Sequence, residues 1–183
     1  CIRDRHNIWI LTDGGIAQYR RSSDDFAIPL DDRGHPILAY SACLTEQGVI
    51  FGGRNRIYCY DYDSRSIKLL LDFSSDPYFA ISAISRWDEE TLLCCSRWQG
   101  LRLINLRSGE RRLPPFDCGK EIMALLIDSH KRIWLAPYNE GLRCFNPEGR
   151  LLASYTTDNS GLSNNVVLSM AERDSHIWVG TDG

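Results

Sequence analysis

Hydrophobic residues along this chain occur in short runs separated by polar, glycine-containing segments. Five runs have the same form, in which apolar residues are followed by a small residue. These runs cover residues 8–12, 49–53, 92–96, 133–137 and 177–181. Their second residues follow one another at intervals of 41 to 44 positions and are Trp9, Ile50, Leu93, Trp134 and Trp178. Such a period indicates a repeat protein, in which each repeat forms one small structural unit.

Each repeat is predicted to contain four β-strands. The runs are too short for helices, and their β-branched, aromatic and cysteine residues favour strands. In chain order, a repeat has an inner apolar strand, the strand with the recurring second residue, a strand that begins near a Gly-Leu pair, and a fourth strand. Residues 67–71 and 151–155 are examples of the fourth strand, and residues 146–149, Asn-Pro-Glu-Gly, form a turn between strands.

Four antiparallel strands repeated every forty or so residues are typical of a β-propeller, whose blades are such sheets. The sequence therefore predicts an all-β fold of four-stranded antiparallel blades. The chain begins just before the second strand of one repeat and ends just after that of another, so we expect three complete and two partial blades. Residues 1–183 would form one continuous propeller segment, a partial ring from a propeller of seven blades.

The charge balance argues against a nucleic-acid binder. The chain has 21 basic and 24 acidic residues, a net charge of −3, and no Lys/Arg-rich run. No apolar stretch reaches the roughly 18 residues that a membrane-spanning helix needs. The chain starts at Cys1 without an initiator Met or a signal peptide, so we expect it to be a piece of a longer protein.

The seven cysteines do not form a recognisable metal motif. There is no Cys-x-x-Cys, and the cysteines are too scattered along the chain for the short ligand spacings of a zinc site. We interpret most of them as small buried hydrophobic residues on strands. One disulfide remains the alternative, because an odd number of cysteines still allows some to pair. The sequence predicts no cofactor and no metal site.

The last repeat carries the most specific motif. It has Gly-Leu-Ser-Asn-Asn-Val-Val over residues 161–167, Glu-Arg-Asp over 172–174 and Ile-Trp-Val-Gly-Thr-Asp-Gly over 177–183. This sequence resembles the repeat of two-component regulator propellers, and residues 8–16, Ile-Trp-Ile-Leu-Thr-Asp-Gly-Gly-Ile, are similar. The repeats that contain Ile50 and Leu93 lack the tryptophan. The resemblance implies the periplasmic sensor region of a Bacteroides-type hybrid two-component histidine kinase.

The same resemblance implies a larger multi-domain sensor protein. In that family, two large propellers are followed by an immunoglobulin-like module, a membrane helix and a cytoplasmic kinase that regulates transcription. The expected partners are the remaining blades, those downstream modules and an oligosaccharide released from dietary or host glycans. The parent is expected to be a homodimer in the inner membrane. The segment itself is expected to reach the membrane only through the parent and to bind no nucleic acid.

The residues that recur at one strand position are interpreted as structural. Trp9, Trp134 and Trp178 could be taken for platforms that stack on sugars. Because they recur in the same place, we expect them to pack between neighbouring blades, each burying on the order of 200 Å². Gly141 and Gly180 are likewise interpreted as structural residues of the repeats.

Each of three repeats also has an acidic residue and a histidine in one predicted turn. They are Asp4 and His6, Asp128 and His130, and Asp174 and His176. The aspartates are expected to cap the turns by accepting backbone N–H groups, not to act as catalytic carboxylates. The histidines are expected to supply a left-handed backbone conformation, since one histidine per blade cannot converge on a metal ion.

Function is expected from the loops that differ among blades, because the scaffold residues repeat. In a propeller, the loop after the second strand and the loop leading into the inner strand open on the same face. Aromatic rings that stack on sugars, with Arg and Asn side chains for hydroxyl groups or acidic substituents, suit a glycan site. The candidate ligand-binding residues on this face are Arg54, Asn55, Tyr78, Arg97, Trp98, Lys120, Tyr138 and Asn139.

Three functions remain open at this point. The preferred interpretation is a non-catalytic sensor propeller, in which ligand binding alters the downstream modules. A propeller glycosidase or polysaccharide lyase is the second, but a glycosidase needs two converging carboxylates and no such pair stands out, so no catalytic residue is predicted. The third is a propeller that only binds other proteins.

Overall fold

The computed structural model describes residues 2–3, 7–96, 99–116 and 121–183. Over these residues the chain forms β-strands and no helix, which confirms the predicted all-β fold. The chain divides into two compact units, Cys1–Arg86 and Trp87–Gly183.

The first unit contains two antiparallel four-stranded sheets in which strands pair with their neighbours in the chain. The first sheet consists of β1 (Ile2–Arg3), β2 (Asn7–Thr12), β3 (Gly15–Arg20) and β4 (Asp25–Ala27). The second consists of β5 (Ser41–Leu44), β6 (Gly48–Gly52), β7 (Arg56–Asp61) and β8 (Ser66–Asp72), and β9 (Ile81–Arg86) follows it. The first blade, predicted to be partial, thus has four strands, of which the inner strand β1 contributes two described residues.

The second unit continues the same pattern. Its first strands are β10 (Thr91–Ser96), β11 (Gly100–Asn105) and β12 (Arg111–Arg112), which belong to a sheet of order β12-β11-β10-β9. A further antiparallel sheet consists of β13 (Ile122–Ile127), β14 (Ile133–Pro137), β15 (Leu142–Phe145) and β16 (Leu151–Tyr155). The last two strands, β17 (Val167–Arg173) and β18 (His176–Thr181), form a hairpin. The prediction of four-stranded antiparallel sheets is confirmed.

The second strand is the most deeply buried in three of the sheets, those that contain β6, β10 and β14. Every residue of β6 and of β14 is buried, whereas most residues of the outer strand β16 are exposed. A strand that is covered on both faces has no solvent side and therefore needs no polar residues in alternation. This burial explains why the sequence shows continuous apolar runs at the predicted second strands.

An aromatic cluster joins the two sheets of the first unit. The Trp9 side chain of β2 is fully buried, and its ring makes edge-on contacts with Phe51 at 5.1 Å and Tyr60 at 4.7 Å between centroids. Ile16 and Ile37 are buried in the same cluster. The structure thus places Trp9 between sheets, where aromatic edge-to-face packing adds to the burial of apolar area.

In the second unit, Trp134 occupies the equivalent place. It is 7% exposed and packs in one cluster with Val167, Ile177 and Val179 of the hairpin that follows its sheet. Trp178 differs, because its side chain is 66% exposed. No described sheet follows β18, so the expectation that Trp178 packs between sheets stays a prediction.

The turn before β14 is built around a buried carboxylate. Asp128 Oδ1 accepts hydrogen bonds from the backbone N–H groups of His130 at 3.0 Å and Arg132 at 2.8 Å. The left-handed residue of this turn is Lys131, with φ 62°, so the expectation that a histidine supplies that conformation is wrong for His130. It is also wrong for His176, whose turn has two left-handed residues elsewhere.

The five cysteines in the described part of the chain are free thiols. They are Cys43, Cys59, Cys94, Cys95 and Cys144. The last three of these are buried, in agreement with the interpretation of cysteines as small apolar residues of strands. Cys1 and Cys118 lie outside the described residues.

Candidate functional site

The first unit brings three of the predicted residues onto two loops that touch each other. Arg54 and Asn55 lie in the loop between β6 and β7, and Tyr78 lies in the segment that leads into β9. The backbone N–H of Phe73 donates to the carbonyl of Asn55 at 2.7 Å, and that of Ile81 donates to the carbonyl of Gly53 at 3.1 Å. Both ends of the segment are therefore fixed to the loop.

The segment around Tyr78 is held by a buried aromatic residue. Phe79 is fully buried and packs edge-on against Phe73, with ring centroids 5.0 Å apart. Asp76 Oδ1 accepts the backbone N–H of Tyr78 at 3.2 Å. The Tyr78 side chain itself is 68% exposed. The chain thus presents a phenol ring to solvent from a backbone that is anchored on both sides of it.

The loop with Arg54 is constrained by close packing. A Cβ atom at Gly53 would lie 2.4 Å from the carbonyl oxygen of Leu38, a contact that side chains do not make. The Gly53 N–H also donates to the carbonyl of Arg56 at 2.9 Å. Arg54 is exposed and Asn55 is half-buried. Together with Tyr78, these loops offer a guanidinium, an amide and an aromatic face to a ligand.

The second unit places Tyr138 and Asn139 in the turn between β14 and β15. Both side chains are exposed, and Asn139 is left-handed with φ 57°. Glu140 in the same turn is paired with Arg143. Gly141 is also left-handed, and a Cβ there would lie 2.1 Å from the carbonyl oxygen of Tyr155. The turn needs a glycine at this position, which accounts for Gly141 in the repeat.

The Ser-Asn-Asn sequence of the last repeat is used to fix the loop before β17. Asn164 donates to the carbonyl of Asp182 at 2.5 Å and accepts the N–H of Val166 at 2.8 Å. Asn165 accepts the N–H of Thr157 at 2.9 Å, and its carbonyl accepts the N–H of Gly141. These side-chain amides hold the backbone of the loop, and no ligand is needed to explain them.

At Gly180 the need for glycine is weaker than at Gly141. A Cβ at Gly180 would lie 2.6 Å from the Ser169 hydroxyl, which belongs to a side chain that can rotate away. Gly180, inside the second strand β18, and Gly141, just before the third strand β15, thus occupy different places in the repeat and are glycines for different physical reasons.

Arg97, Trp98 and Lys120, the other predicted ligand-binding residues, lie outside the described residues. Among the residues that are described, no three His, Cys, Asp or Glu side chains lie together in a way that could hold a metal ion. No helix in that part of the chain has the length and hydropathy required to cross a membrane.

Comparison with solved structures identifies the fold. The chain is similar to an extracellular domain attributed to the hybrid two component system BT3049 of B. thetaiotaomicron, with a TM-score of 0.66, 17% identity, and coverage of 96% of this chain and 30% of that domain. A second such domain, attributed to BT4673 of the same organism, has a TM-score of 0.62 and 18% identity, and the match covers 99% of this chain and 31% of that domain. The WD40 propeller of Doa1 has a TM-score of 0.61 and 12% identity, and the match covers 97% of this chain and 59% of that one.

These similarities define the chain as a β-propeller protein built of four-stranded sheets. Its last repeat, residues 161–183, matches the family model described as "Two component regulator propeller". The resemblance predicted from the sequence is therefore confirmed at this repeat. The chain spans about a third of the length of the two B. thetaiotaomicron domains. No curated protein matches the chain in sequence.

Proposed function

We propose that this chain is a non-catalytic, extracytoplasmic ligand-binding propeller of a two-component signalling protein. The match of residues 161–183 to the regulator propeller family supports the proposal, as does the fold shared with two extracellular domains attributed to such systems. In such a protein, a ligand that binds one arrangement of the modules more tightly shifts the population toward it. The arrangement of a downstream kinase, and with it transcription, would follow ligand binding.

The proposed ligand is an oligosaccharide. The observation that carries this proposal is the exposed Tyr78 ring on a fixed backbone, beside the loop that holds Arg54 and Asn55. An aromatic face can cover the C–H face of a sugar ring, while a guanidinium and an amide donate hydrogen bonds to hydroxyl groups or carboxylates. In the second unit, Tyr138 and Asn139 provide the same pair of chemistries.

Calorimetric titration of the chain with a panel of neutral and acidic oligosaccharides tests this proposal. Tyr78→Ala is expected to weaken binding at least about tenfold, which corresponds to about 1.4 kcal/mol. Because its side chain is mostly exposed, the variant should melt at nearly the wild-type temperature. Phe26→Ala is the matched control, since Phe26 is 59% exposed on the outer strand β4 and outside the candidate loops.

Two results would contradict the proposal. One is that no oligosaccharide in the panel binds, which would favour a propeller that binds only proteins. The other is equal affinity of Tyr78→Ala and the wild type. The non-catalytic part is tested separately by chromatography of the incubated sugars, because products that form at a rate proportional to protein concentration would identify an enzyme.

A further inference from the structure

A second possible site lies in the first unit, away from the loops with Tyr78. A groove of about 300 Å³ separates the turn at residues 31–35 from strands β7 and β8. This volume is at the lower end of the range of small-molecule sites. The groove has an apolar wall that includes Ile37, Tyr58 and Ile67, all of which belong to the cluster around Trp9 or pack against it.

The turn that forms one side of the groove is internally fixed. The Asp31 carboxylate accepts the backbone N–H groups of Arg33 at 2.9 Å and His35 at 2.8 Å. The Asp31 N–H also donates to the carbonyl of His35 at 2.8 Å. The carbonyl of Ile37 in turn accepts the N–H of Ile16 at 3.0 Å, which ties the turn to β3. The Arg33 side chain therefore extends from a defined backbone into the lining of the groove.

The charged residues of the groove are not equally available to a ligand. Asp72 accepts Ser74 N–H at 2.7 Å and the Arg56 guanidinium at 3.2 Å, and Asp31 is occupied by its own turn. Arg33 and Lys68 interact electrostatically with Asp31 and Asp61, respectively, but their side chains have no hydrogen bond or ion pair to a residue in the described ranges. Of the carboxylates in the lining, only Asp32 likewise lacks such a contact. The lining as a whole carries three acidic and three basic side chains, and two of the basic ones, Arg33 and Lys68, keep free hydrogen-bond donors beside an apolar wall.

We propose that this groove binds a small organic carboxylate. Arg33 and Lys68 would hold the carboxylate, and the apolar or C–H-rich body of the molecule would lie on Ile37, Tyr58 and Ile67. Two kinds of molecule share this chemistry, namely sugar acids and apolar carboxylic acids. The site is distinct from the oligosaccharide site proposed above and does not depend on it.

Titration of the 183-residue chain with glucuronate and phenylacetate, followed by calorimetry or NMR, tests the groove. Glucose and phenylacetamide serve as the neutral counterparts. The expected result is binding of at least one acid with a Kd of about 1 mM or tighter, at least about tenfold stronger than its neutral counterpart. Added salt should weaken it, because both cations are exposed to screening. Binding of glucuronate alone would identify a sugar acid site, and binding of phenylacetate alone an apolar acid site.

The double variant Arg33→Gln/Lys68→Gln is expected to lose at least about tenfold in affinity. Arg21→Gln, which removes an exposed cation elsewhere in the first unit, should bind like the wild type. Tyr78→Ala should also leave acid binding unchanged, which separates this proposal from the oligosaccharide site. The proposal is overturned if neither acid binds at about 10 mM, if the neutral counterparts bind equally well, or if the double variant retains full affinity.

Discussion

The buried turn at Asp128 provides the sharpest test of the structure. Each of the two oxygens of its carboxylate accepts two hydrogen bonds. Oδ1 accepts the N–H groups of His130 and Arg132, and Oδ2 accepts the Arg132 guanidinium at 2.6 Å and the Trp134 indole N–H at 2.8 Å. The Asp128 side chain is fully buried. An asparagine at this position has the same shape but only one acceptor oxygen.

Asp128→Asn should therefore destabilise the second unit. If the amide nitrogen replaces Oδ2, it faces the Trp134 indole N–H, which is buried and has no other acceptor among the described contacts. If the amide flips, it faces two backbone N–H groups instead. The Arg132 side chain is partly exposed and can turn to solvent, so the loss of its ion pair with Asp128 contributes less to the destabilisation. Leaving buried donors unsatisfied gives a cost of about 3 kcal/mol, which corresponds to a decrease in Tm of roughly 6–12 °C.

The assay is urea unfolding and thermal melting of wild type and variant, followed by circular dichroism and tryptophan fluorescence. Asp174→Asn is the matched control, because Asp174 holds the equivalent place in the next repeat. Its side chain is 87% exposed, and its carboxylate is paired with the exposed Arg173 at 3.5 Å. Its free energy of unfolding should change by less than about 0.5 kcal/mol. Equal effects of the two substitutions would refute the reasoning.

The same carboxylate predicts a pH dependence. Burial raises the pKa of Asp128, but hydrogen bonds from Trp134 and Arg132 and the charge of Arg132 outweigh it and hold the pKa below its ordinary value. A lowered pKa means that the stabilisation is present above the unfolded value of about 3.9 and is lost as the pH falls through the folded value. The stability difference between wild type and Asp128→Asn should therefore be largest near neutral pH and shrink below about pH 4.

Three further outcomes are expected. Gly141→Ala should lower the free energy of unfolding by about 2 kcal/mol or more, because of the left-handed backbone and the contact with a carbonyl, whereas Gly161→Ala, with open space around it, should change it little in the same urea titration. Trp9→Ala should cost about 3–5 kcal/mol as a fully buried residue, and Trp178→Ala, mostly exposed, far less in thermal melts; equal costs would contradict the assigned packing. Burial raises the pKa of Cys43 to about 12, so mass spectrometry should show slow alkylation of this thiol at neutral pH until urea unfolds the chain.

Much of the fold is readable in the sequence because buried second strands leave a direct trace. The predicted runs at 133–137 and 151–155 coincide with β14 and β16. The first is recognisable because the whole strand is buried and therefore apolar, and the second because turn residues precede it. Trp178 shows what the repeat pattern alone leaves open. Its sequence context matches that of Trp134, but burial depends on what covers the strand, and sequence periodicity does not encode that.

The candidate sites were less predictable than the strands. That Tyr78 and Asn55 lie on touching loops follows from the propeller connection rule, which relates loops to faces. The groove with Arg33 and Lys68 leaves no local pattern in the sequence. The turn before β5 and the outer strand β8 are distant in sequence and come together only in the folded unit. Likewise, the sequence indicates that Asp128 caps a turn, but not that its second oxygen binds an indole.

The pairing of each strand with its neighbour in the chain has a consequence for how such a protein changes over generations. A gene duplication that adds one repeat inserts a whole sheet without separating any two hydrogen-bonded strands. The new unit has to match its neighbours only through side-chain clusters of the kind that surround Trp9. Loops such as the one that carries Tyr78 are then free to diverge in each copy, so a single ancestral sheet can yield many different binding surfaces.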